Sequence, residues 1–112
     1  MKTPPIPKSL LIHSIEYKPP FDPYIEAAEQ NNQRPITISS VRVEPNNKLV
    51  DTKDGKQVVA STLLFIDNYH SDYRKPLDVD GRVTFNGTEY RVISVQELYD
   101  AERLHHWEVY LQ

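Results

Sequence analysis

Four histidines, His13, His70, His105 and His106, are the first candidates for metal chemistry, because the chain contains no cysteine. A zinc centre needs three or four converging ligands. His105 and His106 are adjacent, and adjacent side chains of a strand point to opposite faces, so we expect that their strand cannot direct both at one ion. The pattern therefore favours a packed or interface histidine at position 105, beside Trp107, over a zinc site.

The segment His106–Glu108 offers a possible general acid and base, because residues two apart on a strand share a face. Such pairs on exposed strands are usually solvated neighbours. The sequence has no Gly-x-Ser-x-Gly nucleophile motif, and its three glycines are too few for a phosphate-binding loop. We therefore predict that the protein is not an enzyme and holds no cofactor or metal.

The segment Asp78-Val-Asp80-Gly81 resembles the start of a calcium-binding loop, and Glu89 falls at the twelfth position from Asp78. Its glycine, however, stands at position 4, whereas the EF-hand loop has it at position 6. The Asn86-Gly87 turn would also interrupt the loop. We predict a tight turn that leads into a strand.

A small nucleic-acid-binding barrel is an alternative hypothesis, because seven Tyr, three Phe and one Trp could stack on bases. That mode also needs a basic groove, and the net charge is −3 with no run of Lys or Arg. Four arginines (Arg34, Arg42, Arg82 and Arg91) are balanced by Glu44, Asp80 and Glu89. No apolar run approaches the ~20 residues of a membrane span, and the first residues lack the apolar core of a signal peptide.

The first half of the chain predicts two strands in a single domain over residues 1–112. Residues 1–7 hold three prolines and are expected to form an extended arm before a strand at Lys8–Tyr17. Asp22-Pro23 is a good helix start, which predicts a short helix over Tyr24–Gln30, with a structured loop as the alternative. The next strand, Ile36–Glu44, changes its apolar parity partway along, which indicates a bulge.

A long polar loop is expected at Pro45–Gln57, followed by a strand at Gln57–Asp67. The apolar run Leu63–Ile66 in that strand lacks alternation, which predicts burial on both faces. A second long loop is expected at Asn68–Gly81.

The strongest local signal is Asn86-Gly87 between alternating apolar residues, because a type I′ turn needs positive φ at both central positions. This turn pairs Phe85 with Thr88 and Val83 with Tyr90. A last strand follows at Leu104–Leu111. We predict an all-β small barrel or sandwich of five to seven mostly antiparallel strands, with long loops and at most one short helix. The expected core comprises Leu63, Phe65, Val83, Phe85, Tyr90, Val92, Trp107 and Val109.

Four segments carry a family resemblance: Pro7–Ile15 (PKSLLIHSI), Val41–Pro45 (VRVEP), Val83–Val92 (VTFNGTEYRV) and Leu104–Leu111 (LHHWEVYL). Together they resemble the minor capsid proteins of tailed phages and prophages of Gram-positive bacteria. These proteins are similar to the head-completion, or stopper, proteins of the siphophage connector. The resemblance covers most of the chain and is weakest over residues 18–33.

The resemblance implies a barrel subunit of a homo-oligomeric ring below the portal and adaptor, in the virion at the head–tail interface and in the host cytoplasm during assembly. Such a ring closes the DNA-filled head and offers a docking face to the tail, while double-stranded DNA passes without specific binding. Another connector layer, adaptor or tail terminator, is an alternative. The resemblance also implies a channel-facing loop, for which an ordinary surface hairpin loop is the alternative. The loop residues are Asn46, Asn47, Lys48, Asp51, Thr52, Lys53, Asp54, Gly55 and Lys56.

Overall fold

A computed structural model describes residues 4–20, 23–24 and 35–112. The residues of the expected helix beyond Tyr24, and the first three residues of the expected arm, lie outside this part of the chain. Within it, the only helical segment is a 3-10 turn at Lys8–Leu10.

The architecture is a closed barrel of six antiparallel strands with a separate two-stranded sheet. The described strands are β1 (His13–Lys18), β2 (Ile36–Pro45), β3 (Leu49–Asp51), β4 (Gln57–Val59), β5 (Thr62–Asp67), β6 (Arg82–Phe85), β7 (Thr88–Tyr99) and β8 (Leu104–Leu111). The barrel order is β1-β2-β5-β8-β7-β6, and β6 pairs with β1 to close it. This confirms the predicted all-β class.

The start predicted for the first strand is wrong, because β1 begins at His13 and not at Lys8. Pro7 precedes the 3-10 turn, whose last amide, at Leu10, donates to the Pro7 carbonyl at 2.9 Å. Leu11 then turns inward and is buried. The arm therefore packs on the barrel before the chain enters the sheet.

The parity change in β2 is a bulge at Ser40, as predicted. His13 pairs with Val41 and Ser14 pairs with Ser39, so Ser40 is left without an opposite residue, at a φ of 58°. Because of this extra residue, both Ile38 and Val41 point into the barrel and are fully buried.

The expected long loop at Pro45–Gln57 is wrong as a description of the backbone, because it contains β3 and the start of β4. These strands pair Leu49 with Val59 and Asp51 with Gln57. The predicted strand Gln57–Asp67 is also interrupted, since the Ala60 amide donates to the Lys48 carbonyl and leaves the barrel ladder. The six strands of the barrel agree with the expected five to seven, and β3 and β4 form an additional sheet. That sheet was not predicted, because three-residue strands carry almost no periodic signal.

Apolar side chains form two clusters. The main core fills the barrel, and a second cluster lies between the β3–β4 hairpin and the outer face of β5, β7 and β8. Leu64 and Ile66 belong to the main core, whereas Leu63 belongs to the second, so the apolar run in β5 is buried on both faces as predicted. The second cluster comprises Val50, Ala60, Leu63, Ile93 and Tyr110, with Val58 and Phe65 packed against it.

The β6–β7 hairpin has the predicted register, with Phe85 opposite Thr88 and Val83 opposite Tyr90. Asn86 and Gly87 have φ values of 50° and 78°, as a type I′ turn requires.

Candidate functional site

The residues predicted to form the core take three different positions. Val83, Val92, Trp107 and Val109 are buried in the main core, where Phe85 and Tyr90 are partly buried against them. Leu63 is buried in the second cluster, and Phe65 is partly buried against it. Leu63 and Phe65 therefore pack beneath the β3–β4 hairpin and support the candidate site.

The hairpin tip, Thr52–Lys56, has a defined conformation. The Thr52 amide donates to the Lys56 carbonyl at 2.7 Å, and Gly55 takes a φ of 84° with open space around it. The Thr52 hydroxyl donates to the Asp54 carboxylate, and this hydrogen bond lowers the pKa of Asp54 below its usual value. The tip is therefore an ordered turn whose polar side chains project into solvent.

The hairpin root is held by polar contacts to its own residues and to β8. The Lys48 amide donates to Asn46 Oδ1 at 2.6 Å, and Lys48 Nζ lies 3.4 Å from Tyr110 Oη and 5.2 Å above the Tyr110 ring. Across the two strands, Gln57 Nε2 donates to Asp51 Oδ1 at 3.1 Å. Asn47 is exposed between Asn46 and Lys48.

Lys53 connects the tip to the barrel, because its Nζ donates to Asp80 Oδ2 at 2.6 Å. This bond, reinforced by the charges of Arg91 and Arg82, lowers the pKa of Asp80 below its usual value. A crevice of about 390 Å³ opens beside this contact, between the hairpin and the barrel. The nine predicted loop residues thus form a docked hairpin, with an ionic contact at its tip.

Asp80 lies in the predicted turn that leads into β6. The Gly81 amide donates to the Asp78 carbonyl at 3.1 Å, and the Asp80 amide donates to the Val92 carbonyl at 2.8 Å. In the described ranges no group of three or more His, Asp or Glu side chains is arranged to hold a metal ion. The electrostatics of this turn come from ion pairs with lysine and arginine.

The prediction that His105 and His106 point to opposite faces is wrong. Leu98 pairs with His106 and Tyr99 pairs with Leu104, so His105 is an extra residue in the ladder. This irregularity turns the two rings together, and their Nδ1 atoms lie 2.8 Å apart. No local pattern predicts this bulge, because His105 becomes an extra residue only through the register in which β7 and β8 pair.

The two histidines belong to a chain of hydrogen bonds along the outside of β8. His105 Nε2 lies 2.6 Å from the Pro4 carbonyl, and His106 Nε2 lies 2.9 Å from Glu108 Oε2. Tyr110 Oη donates to Glu108 Oε1 at 3.3 Å. The chain links the N-terminal arm to Lys48 at the hairpin root.

Asp67, which sequence reasoning did not single out, is fully buried at the end of β5. Its Oδ1 accepts a hydrogen bond from the Ile6 amide at 3.1 Å, and its Oδ2 accepts from the amides of Tyr69 and His70 at 2.9 and 2.7 Å. Asp67 therefore fastens the arm to the barrel. The sequence signal that could have identified Asp67 is a carboxylate placed directly after the apolar run Leu63–Ile66.

Among the described residues, no helix is long and apolar enough to span a membrane. Comparison with curated proteins found no significant match. Comparison with solved structures found none either. The family model described as "Minor capsid protein" matches residues 7–111, which is nearly the whole chain and includes β1, the hairpin, the Asp80 turn and β8. The chain therefore belongs to the minor capsid protein family.

Proposed function

We propose that this protein is a ring-forming subunit of the phage head–tail connector, which closes the DNA-filled head below the portal and adaptor and offers a docking face to the tail. Family membership supports the coarser part, a structural protein of the virion. The observation that carries the finer proposal is a closed barrel with one polar hairpin folded against its side.

The closed barrel favours subunit contacts made by side chains and by the segments packed on the barrel, and not by the pairing of strand edges. Its six strands are all paired, so the barrel offers no free strand edge to a neighbouring subunit. The described part of the arm and the β3–β4 hairpin both pack against the outside of the barrel. A ring would join two different faces of each subunit, because a head-to-tail contact that closes on itself makes a ring.

The hairpin tip is our candidate for the segment that faces the channel. It is polar and of mixed charge, and its strands are anchored by Val50 in the second cluster. The exposed Lys53–Asp80 pair contributes at most about 1 kcal/mol, so the tip can detach from the barrel while its root stays fixed. Such a turn can reach toward passing DNA without unfolding the subunit.

Deletion of the gene from the phage or an inducible prophage tests the connector role. We expect electron micrographs of the lysate to show empty or leaking heads beside free, complete tails. Intact infectious virions would reject the connector role. Heads that retain DNA beside tails of abnormal form would support a tail-terminator layer instead.

A shortened hairpin tests the channel role separately. Asp51 and Gln57 are opposite each other, so residues 52–56 can be replaced by a two-residue Asn-Gly turn while both strands remain. We expect a folded subunit that enters particles but allows DNA to leak from the heads. A matched control places Ala at Asn47, on the exposed root. Full retention of DNA by the shortened variant would reject the channel role and leave the connector role standing.

A further inference from the structure

Four cationic side chains that are far apart in the sequence meet on one side of the barrel. Lys18 of β1 is directly opposite Arg82 of β6, and Arg82 is directly opposite Arg91 of β7. Lys53 reaches the same place from the hairpin tip through Asp80, whose other carboxylate oxygen lies 3.9 Å from Arg91. We call Lys18, Lys53, Arg82 and Arg91 the basic face.

The basic face carries an excess of positive charge. Like charges directly opposite each other on a sheet are unfavourable. Here Lys18, Arg82 and Arg91 form a row of three cations across β1, β6 and β7. The carboxylates beside them in the described residues are Asp80, Glu89 and Glu16. Glu89 lies 4.0 Å from Arg82, and Glu16 is exposed on the same face of β1 as Lys18, opposite Thr84. Four cations against three carboxylates leave a local charge of +1 among the described residues, although the whole chain carries −3. Charges more than about 8 Å away are largely screened at physiological salt.

The groove between these side chains is open to a large partner. The crevice beside the hairpin shares Lys53, Val79 and Asp80 with a second crevice of about 680 Å³, which extends past Arg82 to Lys18. Lys56 and Asp54 add one charge of each sign, so the excess remains +1. The side chains of Arg82, Arg91 and Lys53 are 52%, 42% and 69% exposed.

The absence of exposed aromatic side chains from this groove indicates the class of partner. The crevices are lined by charged and polar residues and by Val58, Val79, Ile93, Pro19 and Pro20, and none of their lining residues is aromatic. Single-stranded nucleic acids are held by stacking on aromatic rings, so this groove does not suit a single strand. Arginine and lysine alone are sufficient for phosphate groups on a duplex backbone.

We propose that the basic face binds the phosphate backbone of double-stranded DNA without reading its sequence. The hairpin tip contributes Lys53 to this face, so the inference deepens the proposed function by naming the DNA-contacting residues. It rests on the connector role for its biological setting only, because binding is measured with purified protein and no virion. The deletion experiment and the binding experiment can therefore fail independently.

Fluorescence anisotropy with a labelled 30-base-pair duplex of arbitrary sequence tests the proposal. We expect binding at 20–50 mM NaCl that weakens with salt, with a slope of log K against log salt of roughly −3 to −4 for four phosphate contacts. Arg82→Gln and Lys53→Gln should each weaken binding by roughly three- to tenfold and reduce the slope by about one. A second duplex of unrelated sequence should bind equally well.

The matched control is Arg42→Gln, which removes the same charge from β2. Arg42 pairs with Glu44 and with the Leu10 carbonyl, on the arm side of the barrel. This variant should bind the duplex as the unaltered protein does, with an unchanged thermal unfolding midpoint for all three variants. No binding at 20 mM NaCl, or equal weakening by Arg42→Gln, would overturn the proposal. Salt-sensitive self-association that Arg82→Gln abolishes, in the absence of DNA binding, would also overturn it and show an acidic protein face as the partner.

Discussion

Gly81 lies so close to Tyr17 that a Cβ atom at position 81 would stand 2.7 Å from Cε1 of the Tyr17 ring. The ring is 1% exposed, and its hydroxyl accepts a hydrogen bond from the Asp78 amide at 3.0 Å. The turn that ends at Gly81 therefore lies directly over the ring and leads into β6. Because β6 pairs with β1, this contact lies where the barrel closes.

Gly81→Ala should lower the free energy of unfolding by roughly 1–3 kcal/mol, because the added methyl group overlaps a buried ring. Chemical denaturation of the variant measures this loss. In a Tyr17→Leu background the same substitution should cost less, since the ring is gone. Equal costs in the two backgrounds would show that the glycine is needed for another reason, such as the Asp78 and Lys18 carbonyls, 3.1 and 3.2 Å from the same point.

Tyr17 should make the protein sensitive to alkali. Burial, the largest cause, raises the pKa of its phenol from 10.0 to about 12. The folded state therefore favours the protonated form. The stabilisation is complete below pH 10 and is lost as the pH rises toward 12, a change of roughly 1–2 kcal/mol. Urea denaturation between pH 8 and 12 should show this decline.

Two phenylalanine variants separate Tyr17 from the other tyrosines. Tyr17→Phe should be less stable at pH 8, because the Asp78 amide loses its acceptor, but its stability should fall much less between pH 10 and 12. Tyr99→Phe is the control, because Tyr99 is exposed and its pKa is raised by the neighbouring Glu97 carboxylate. An equally steep decline in Tyr17→Phe would show that a different group unfolds the protein at high pH.

Local sequence signals predicted the parts of the fold that local geometry determines. Asn86-Gly87 predicted its turn and register, and the parity change between Ile38 and Val41 predicted the bulge at Ser40. The β3–β4 hairpin was missed because Leu49–Asp51 is too short for a periodic pattern and is stabilised by packing on distant residues such as Ile93.

The basic face and the histidine chain depend on tertiary structure in the same way. Lys18, Arg82 and Arg91 become neighbours only when β1, β6 and β7 are aligned, so counting charges along the chain could not reveal them. The contact between His105 and His106 follows from a bulge that adjacent positions on a regular strand would exclude. Both features require the register of strands that are paired across the barrel.

Asp67→Ala should release the N-terminal arm. The substitution leaves the amides of Ile6, Tyr69 and His70 without their acceptor, and we expect a loss of roughly 2–4 kcal/mol in the free energy of unfolding. Hydrogen exchange should accelerate at these amides more than in β7. Asp72→Ala is the control, because Asp72 is exposed and accepts a single amide hydrogen bond, from Ser39, so it should cost about 1 kcal/mol. Unchanged exchange at Ile6 in Asp67→Ala would show that the arm is held by other contacts.

Trp107 should contribute through the volume of its ring and not through its indole N–H. The side chain is 3% exposed in the main core, and its Nε1 has no hydrogen-bond partner among the described residues. Trp107→Ala should therefore cost roughly 3–5 kcal/mol, because it leaves a cavity. Trp107→Phe keeps an aromatic ring and removes the unpaired donor, so it should cost less than about 1.5 kcal/mol. Chemical denaturation measures the free energy of unfolding of both variants. A cost below about 1 kcal/mol for Trp107→Ala would place Trp107 at a surface contact. Equal costs for Trp107→Ala and Trp107→Phe would show that the indole N–H bonds to a buried water.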